Sequence, residues 1–166
     1  LDGATYTARA GLSGKWGDVA EAQASVGYGL RTYNALALAP VEATLYDASL
    51  TFHPDRTLAL TGGFSTEIGP PGTNGSGTAE ITYAATAGAS YKVNDWLALR
   101  ASAGWHHAWF AGTSNTDDGY SLGSGIDYTP TRHVRLSADY LFEHSEVTPN
   151  PIDDSHTVTV GVTVLR

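Results

Sequence analysis

The sequence predicts an all-β fold: an antiparallel up-and-down transmembrane β-barrel with about nine strands visible. Three observations predict it. Apolar and polar residues alternate with a period of two, the alternating segments reach ten residues or more, and tight polar turns alternate with longer connections.

Composition sets the frame. The chain has 166 residues, 42% hydrophobic but only 16% charged, with 19 glycines, 9 tyrosines and 4 tryptophans. Soluble domains carry roughly 25% charge. Yet mean hydropathy is only -0.17, and no apolar run approaches the ~20 residues of a membrane helix. Polar and apolar residues are therefore interleaved, as a wall with one face on lipid and one on water requires. The chain has no cysteine, which removes disulfides and thiolate chemistry. The net charge of -8 argues against a nucleic-acid partner.

The alternation is clearest in four segments. Ile81, Tyr83, Ala85, Ala87, Ala89 and Tyr91 alternate with polar or small residues. Leu97, Leu99, Ala101, Ala103 and Trp105 alternate with Arg100, Ser102, Gly104 and His106. Val134, Leu136, Ala138, Tyr140 and Phe142 oppose Arg135, Ser137, Asp139 and Glu143, and Val158, Val160, Val162 and Val164 oppose Thr157, Thr159, Gly161 and Thr163. On a helix these apolar residues would scatter around the axis. The template predicts strands near 4–16, 20–32, 42–53, 57–67, 78–93, 96–110, 119–129, 133–144 and 156–166. A tilted membrane strand needs about 9–11 residues, whereas soluble strands average about five or six.

Short turns are expected at Gly17-Asp18-Val19, Pro54-Asp55-Arg56, Asn94-Asp95 and Pro130-Thr131-Arg132. Between them lie longer connections from Tyr33 to Pro40, Ile68 to Gly77, Gly112 to Asp118 and Ser145 to Ser155. In outer-membrane barrels the short turns are periplasmic and the long loops extracellular. A weak hairpin repeat places an aromatic before each turn. Trp16, Phe52, Tyr91, Trp96 and Tyr128 are expected to form a periplasmic aromatic girdle. Tyr6, Tyr28, Phe64, Tyr83, Trp105, Trp109, Tyr120, Tyr140 and Phe142 are expected along or toward the outer one.

The hairpin repeat and the wording around Asn94-Asp95-Trp96-Leu97 resemble the putative β-barrel porin family of Gram-negative outer membranes, over the whole chain. The resemblance implies an outer-membrane location, contact with membrane lipid and lipopolysaccharide, and a link, in some members, to export of surface polysaccharide. By the topology above, the first strand starts on the outer side, so residues 1–166 are expected to form one barrel unit, the C-terminal portion of a larger barrel with upstream strands. Such barrels usually finish on an aromatic, and this chain stops at Val164-Leu165-Arg166.

The parity opposite the apolar face collects the charges. Arg9, Lys15, Arg31, Lys92, Arg100 and Arg135 stand against Glu21, Asp47, Glu80, Asp127, Asp139 and Glu143. A charge in lipid costs about 2–4 kcal/mol at the midplane, so these twelve are expected to point inward as pore-lining residues. The lists match in size, which assigns the net negative charge to loops and turns. Two readings follow for the interior. The residues line a water-filled pore passing small solutes or polysaccharide, or they pair as the filling of a closed structural or adhesive barrel whose loops carry the function.

An outer-membrane hydrolase is a remote third reading. His106 and His107 stand beside Asp117 and Asp118, and a His with a carboxylate activates water. Adjacent strand residues point to opposite faces, so only one of the two joins an interior site. Asn115-Thr116-Asp117-Asp118-Gly119 lacks the spaced ligands and closing Glu of a calcium loop. The reading is therefore not an enzyme, with no cofactor, metal or catalytic residue, and it leaves the oligomeric state open. The loop Pro70-Pro71-Gly72 carries no phosphate-binding signature, and Asn74-Gly75-Ser76 fits a glycosylation sequon without consequence in a bacterial outer membrane.

Overall fold

The computed structural model describes residues 3–34, 38–70, 77–148 and 152–164. Nine strands follow one another: β1 Gly3–Trp16, β2 Ala20–Tyr33, β3 Val41–Phe52, β4 Leu58–Gly69, β5 Glu80–Asn94, β6 Leu97–Phe110, β7 Thr116–Thr131, β8 Val134–Val147 and β9 Ile152–Val164. They form one antiparallel sheet in strand order β1 to β9, each strand paired with the next. Every strand is 12 to 16 residues long, enough for a tilted crossing of a hydrocarbon layer. Among the described residues the sheet does not close; β1 and β9 are its edges.

β7, β8 and β9 are longer than the pattern predicts at the end with the long connections, whereas β5 begins at Glu80 instead of 78. β7 begins at Thr116 instead of 119, β8 runs on to Val147, and β9 begins at Ile152. Asp117, Asp118 and Gly119 are therefore ladder residues, not loop. Register explains the miss. Polar residues at strand ends break hydropathy alternation but not hydrogen-bond pairing, and His107 still pairs with Asp118 and Glu146 with Ile152. The connections β6–β7 (111–115) and β8–β9 (148–151) are consequently shorter than expected. Asn74-Gly75-Ser76, most of the β4–β5 connection and the final Leu165-Arg166 lie outside the described residues.

The short turns are locally built. Gly17 has φ 59°, a left-handed conformation that glycine adopts without steric cost, and closes β1 onto β2. Asn94 Oδ1 accepts from the Trp96 amide at 3.0 Å. Asp55 accepts from the Thr57 hydroxyl at 2.6 Å and from the Thr57 and Leu58 amides at 2.7 and 2.9 Å. Those bonds, the Thr57 hydroxyl foremost, hold the Asp55 carboxyl below its ordinary value. A depressed folded-state value contributes stability above the unfolded pKa of about 3.9 that is lost as pH falls through the lower folded value. Asp55→Asn is therefore expected to flatten the loss of stability in this acid range. Denaturant unfolding of both proteins at several pH values below about 5 checks it; parallel curves would remove the turn's role.

Continuous register assigns two faces. One carries Tyr6, Leu12, Val26, Tyr28, Tyr46, Leu50, Leu99, Leu122, Ile126, Leu136, Val158, Val160, Val162 and Val164, all large hydrophobics left exposed. An exposed apolar surface spanning nine strands has no place in water. Eight residues separate Tyr128 from Tyr120 along β7, roughly 27 Å at about 3.4 Å per residue. A tilt of about 40° reduces that to roughly 20 Å, close to the ~25 Å apolar band of a membrane barrel.

The sheet departs from a regular wall between β3 and β4. Their ladder runs only from Asp47–Ser65 to Phe52–Leu60, whereas β1 and β2 pair over their full length. Beyond that point the ends of β4 and β5 lie across the polar face of β1–β3. Arg9 donates to the Thr66 carbonyl at 2.9 Å, and the Tyr33 hydroxyl donates to the Thr78 carbonyl at 2.7 Å. Ile68 and Ile81, on the apolar parity of β4 and β5, pack against Leu45 on the polar parity of β3, flanked by Val41, Ala43 and Tyr83. Leu45 is fully buried. Tyr83 thus serves partly as packing for this cluster, in addition to standing with the long-connection-end aromatics.

Candidate functional site

Along the ladders, Lys15 pairs with Glu21, Ser25 with Asp47, Ser90 with Arg100, Gly125 with Asp139 and Ser121 with Glu143. Propagating this register puts Arg9, Lys15, Glu21, Arg31, Asp47, Glu80, Lys92, Arg100, Asp127, Arg135, Asp139 and Glu143 on one and the same face. It is the face opposite the exposed aliphatics.

Two ion-pair groups organise this face. Arg9 on β1 meets Asp47 on β3, reaching across β2. Gly27, directly opposite Arg9, makes the reach possible, because a side chain there would press on the Arg9 Cγ and the Ala8 carbonyl. Arg100 on β6 bridges two carboxylates: its Nε lies 2.8 Å from Asp127 Oδ2 on β7, and its Nη2 lies 2.9 Å from Asp139 Oδ1 on β8. Gly125 stands between them, where a Cβ would meet both Asp139 and the guanidinium. The bridge borders a shallow hollow of about 370 Å³ floored by Gly88, Ser102 and Gly123. Both groups are a quarter to two-fifths exposed, so each pair stabilises by less than about 1 kcal/mol. Their effect is on the field along the face. Arg100→Ala leaves Asp127 and Asp139 without their cation and is expected to shift ion preference toward cations with little loss of stability. On the conduit reading proposed below, the reversal potential in a salt gradient checks it, and an unchanged potential would place the bridge away from the conducting path.

Arg31 is 5% exposed beneath the crossed β4–β5 ends, with Nη1 donating to Thr5 Oγ1 at 2.7 Å and the guanidinium 5.6 Å from the Tyr33 ring. Lys92 pairs with Asp95 in the β5–β6 turn, which holds the Asp95 carboxyl below its ordinary value. Glu143 accepts from Ser155 at 3.4 Å.

At the short-turn end, Trp16, Phe52, Tyr91 and Tyr128 share the apolar face, and Trp96 meets Tyr128 edge to face at 5.6 Å. At the opposite end, successive histidines diverge. His106 lies on the polar face with Nε2 3.4 Å from Asp117, and His107 lies on the apolar face with Nδ1 2.6 Å from Asp118. His106 borders a hollow of about 380 Å³ with Ser121, Glu143, Asp153 and Ser155. The long His106–Asp117 contact is the only one of this set that a water-activating base would use. Among the described residues no group of three or more His, Asp or Glu is arranged to hold a metal ion.

Sequence reasoning missed the pairs His144–Asp154 at 2.6 Å and His156–Tyr140 at 2.8 Å on the apolar face. Taking Glu146–Ile152 as the closing pair of the β8–β9 hairpin would have found the first, since two residues back along each strand from that pair put His144 opposite Asp154.

The family model described as Putative beta-barrel porin 2 matches residues 1–166. The chain belongs to that family. It is also 32% identical over 83 residues to Outer membrane protein X of Enterobacter cloacae, a match covering 45% of this chain and 47% of that protein. The chain thus spans about half the length of this curated relative. No solved structure matches. The antiparallel meander and the two-faced sheet agree with a porin-family barrel, and both comparisons point to the bacterial outer membrane. Membership of a porin family suggests a non-enzymatic role for the chain.

Proposed function

We propose that this porin-family chain is the wall of a passive conduit through the outer membrane, filtering polar solutes by size and charge without a covalent step. The observation that supports the reading is the ladder pairing, which gives all twelve charged residues the strand parity opposite that of the exposed aliphatic band. Between the charges that face carries hydroxyls and glycines, among them Thr61, Gly63, Thr86, Gly88, Ser102, Gly104, Ser121 and Gly123. On this reading the short turns are periplasmic and the long connections extracellular. β1 and β9 run in the same direction, so antiparallel closure calls for an odd number of further strands and makes this sheet part of a larger barrel. Surface polysaccharide is one cargo this conduit would carry, and small polar solutes are the other.

The cluster of Leu45, Ile68 and Ile81 on the polar face favours a second reading, a barrel whose interior is occluded and whose loops do the work. Planar-bilayer recording of the complete protein separates the two. Stable open-channel steps are expected, and their absence in protein shown to be inserted would sink the conduit.

A further inference from the structure

We propose that the histidine pairs on the apolar face of β6–β9 form a proton-dependent contact for phosphate groups of outer-leaflet lipid. The inference rests on the orientation given above, with the long connections outside. His107, His144 and His156 occupy successive ladder levels on β6, β8 and β9 within the aromatic belt that closes the apolar band: His107 one level beyond Trp105 and Tyr120, His144 level with both, and His156 level with Phe142. That is the depth of headgroups.

The rings are held in fixed planes. His107 stacks on Trp105 at 6.4 Å and 8°, His144 on Tyr120 at 4.8 Å, and His156 lies 5.0 Å from Phe142. Each uses Nδ1 toward the sheet: to Asp118, to Asp154 and to the Tyr140 hydroxyl. An ionised carboxylate only accepts, so Nδ1 donates in the first two pairs. Nε2 is then the ring nitrogen left for a headgroup. Isolated exposed histidines would need no such support; three stacked and oriented in adjacent rows do.

The charges facing them decide the sign. His107 faces Asp118 on β7 and Tyr83 on β5; His144 faces Asp154 on β9, Tyr120 on β7 and Glu146 on its own strand; His156 faces Tyr140 on β8 and Asp154 on its own strand. With neutral rings, Asp118, Glu146 and Asp154 present three negative charges that repel phosphate. With protonated rings the patch is neutral and presents three N–H donors. Histidine changes charge between about pH 5 and 8, and an anionic membrane surface draws cations, protons included, toward it. The rival occupant is a divalent cation bridging carboxylate and phosphate. The exchange of EDTA for magnesium in the test below separates it from the histidine contact.

The test uses the complete protein in phosphatidylcholine vesicles with EDTA, Trp105 being kept as reporter and Trp16, Trp96 and Trp109 replaced by Phe. Quenching by brominated phosphatidic acid against brominated phosphatidylcholine gives the local lipid preference. It is expected to be about tenfold stronger near pH 5.5 than near pH 8, the size of a charge-assisted hydrogen bond. The headgroup itself loses charge as pH falls, which would act in the opposite direction. His107→Gln/His144→Gln/His156→Gln is expected to abolish the pH effect, and His144→Gln alone to reduce it. Heat-dependent electrophoretic migration confirms that each variant is folded. Equal preference at both pH values, preference kept in the triple variant, or preference appearing only when magnesium replaces EDTA would each overturn the proposal. None of these outcomes depends on whether the barrel conducts.

Discussion

Ala101→Arg is expected to destabilise the membrane-inserted state by about 2–4 kcal/mol, while Ser102→Arg, one residue away, changes it by less than about 1 kcal/mol. Ala101 lies on the apolar face, level with Ala89 and Ser124 and midway between the Tyr128 and Tyr120 rows. An arginine there meets hydrocarbon at the depth where hydration is least available. Ser102 lies on the polar face beside Gly123, where a guanidinium stays hydrated. Reversible denaturant unfolding from phosphocholine vesicles measures both. Equal losses would mean that water wets both faces, and the two-faced wall would fall with that result.

Leu45→Ala is expected to cost about 2–5 kcal/mol, the range for emptying a fully buried leucine site. Leu45 supports Ile68 and Ile81 where the ends of β4 and β5 cross the polar face, and a methyl-sized residue leaves that crossing without a floor. The substitution is also expected to raise single-channel conductance, because the crossed strands stand over the polar face of the wall. Unfolding midpoints and bilayer recording check the two effects separately. A loss under about 1 kcal/mol would show that the crossing is held by Arg9–Thr66 and Tyr33–Thr78 instead.

Much of this wall was legible in the chain because strand physics is local. A side-chain period of two reports which face is wet, and four alternating segments from Ile81 to Val164 were enough to set the parity of β5, β6, β8 and β9. Gly17, Asp55 and Asn94 announced their turns because glycine, aspartate and asparagine satisfy tight backbone geometry within two or three residues. The strand ends at Thr116, Val147 and Ile152 were not legible. There polar residues such as Asp117 and Asp118, Ser145 and Glu146, and Asp153 and Asp154 stand on both parities, and only pairing with a neighbouring strand identifies them as ladder.

What the sequence by itself determined is therefore the class of wall: nine antiparallel strands, an apolar face and a face bearing equal numbers of cations and anions. It could not determine which charges meet. Arg100 reaches both Asp127 and Asp139, and Arg9 reaches Asp47 over Gly27, because ladder register sets these distances and register is a relation between strands. Nor could it determine that His144 finds Asp154 on the apolar side, or that Ile68 and Ile81 leave the apolar surface to cover Leu45. Alternation fixes the direction of a side chain relative to its own strand; only the place where the β3–β4 ladder stops decides what that side chain then touches.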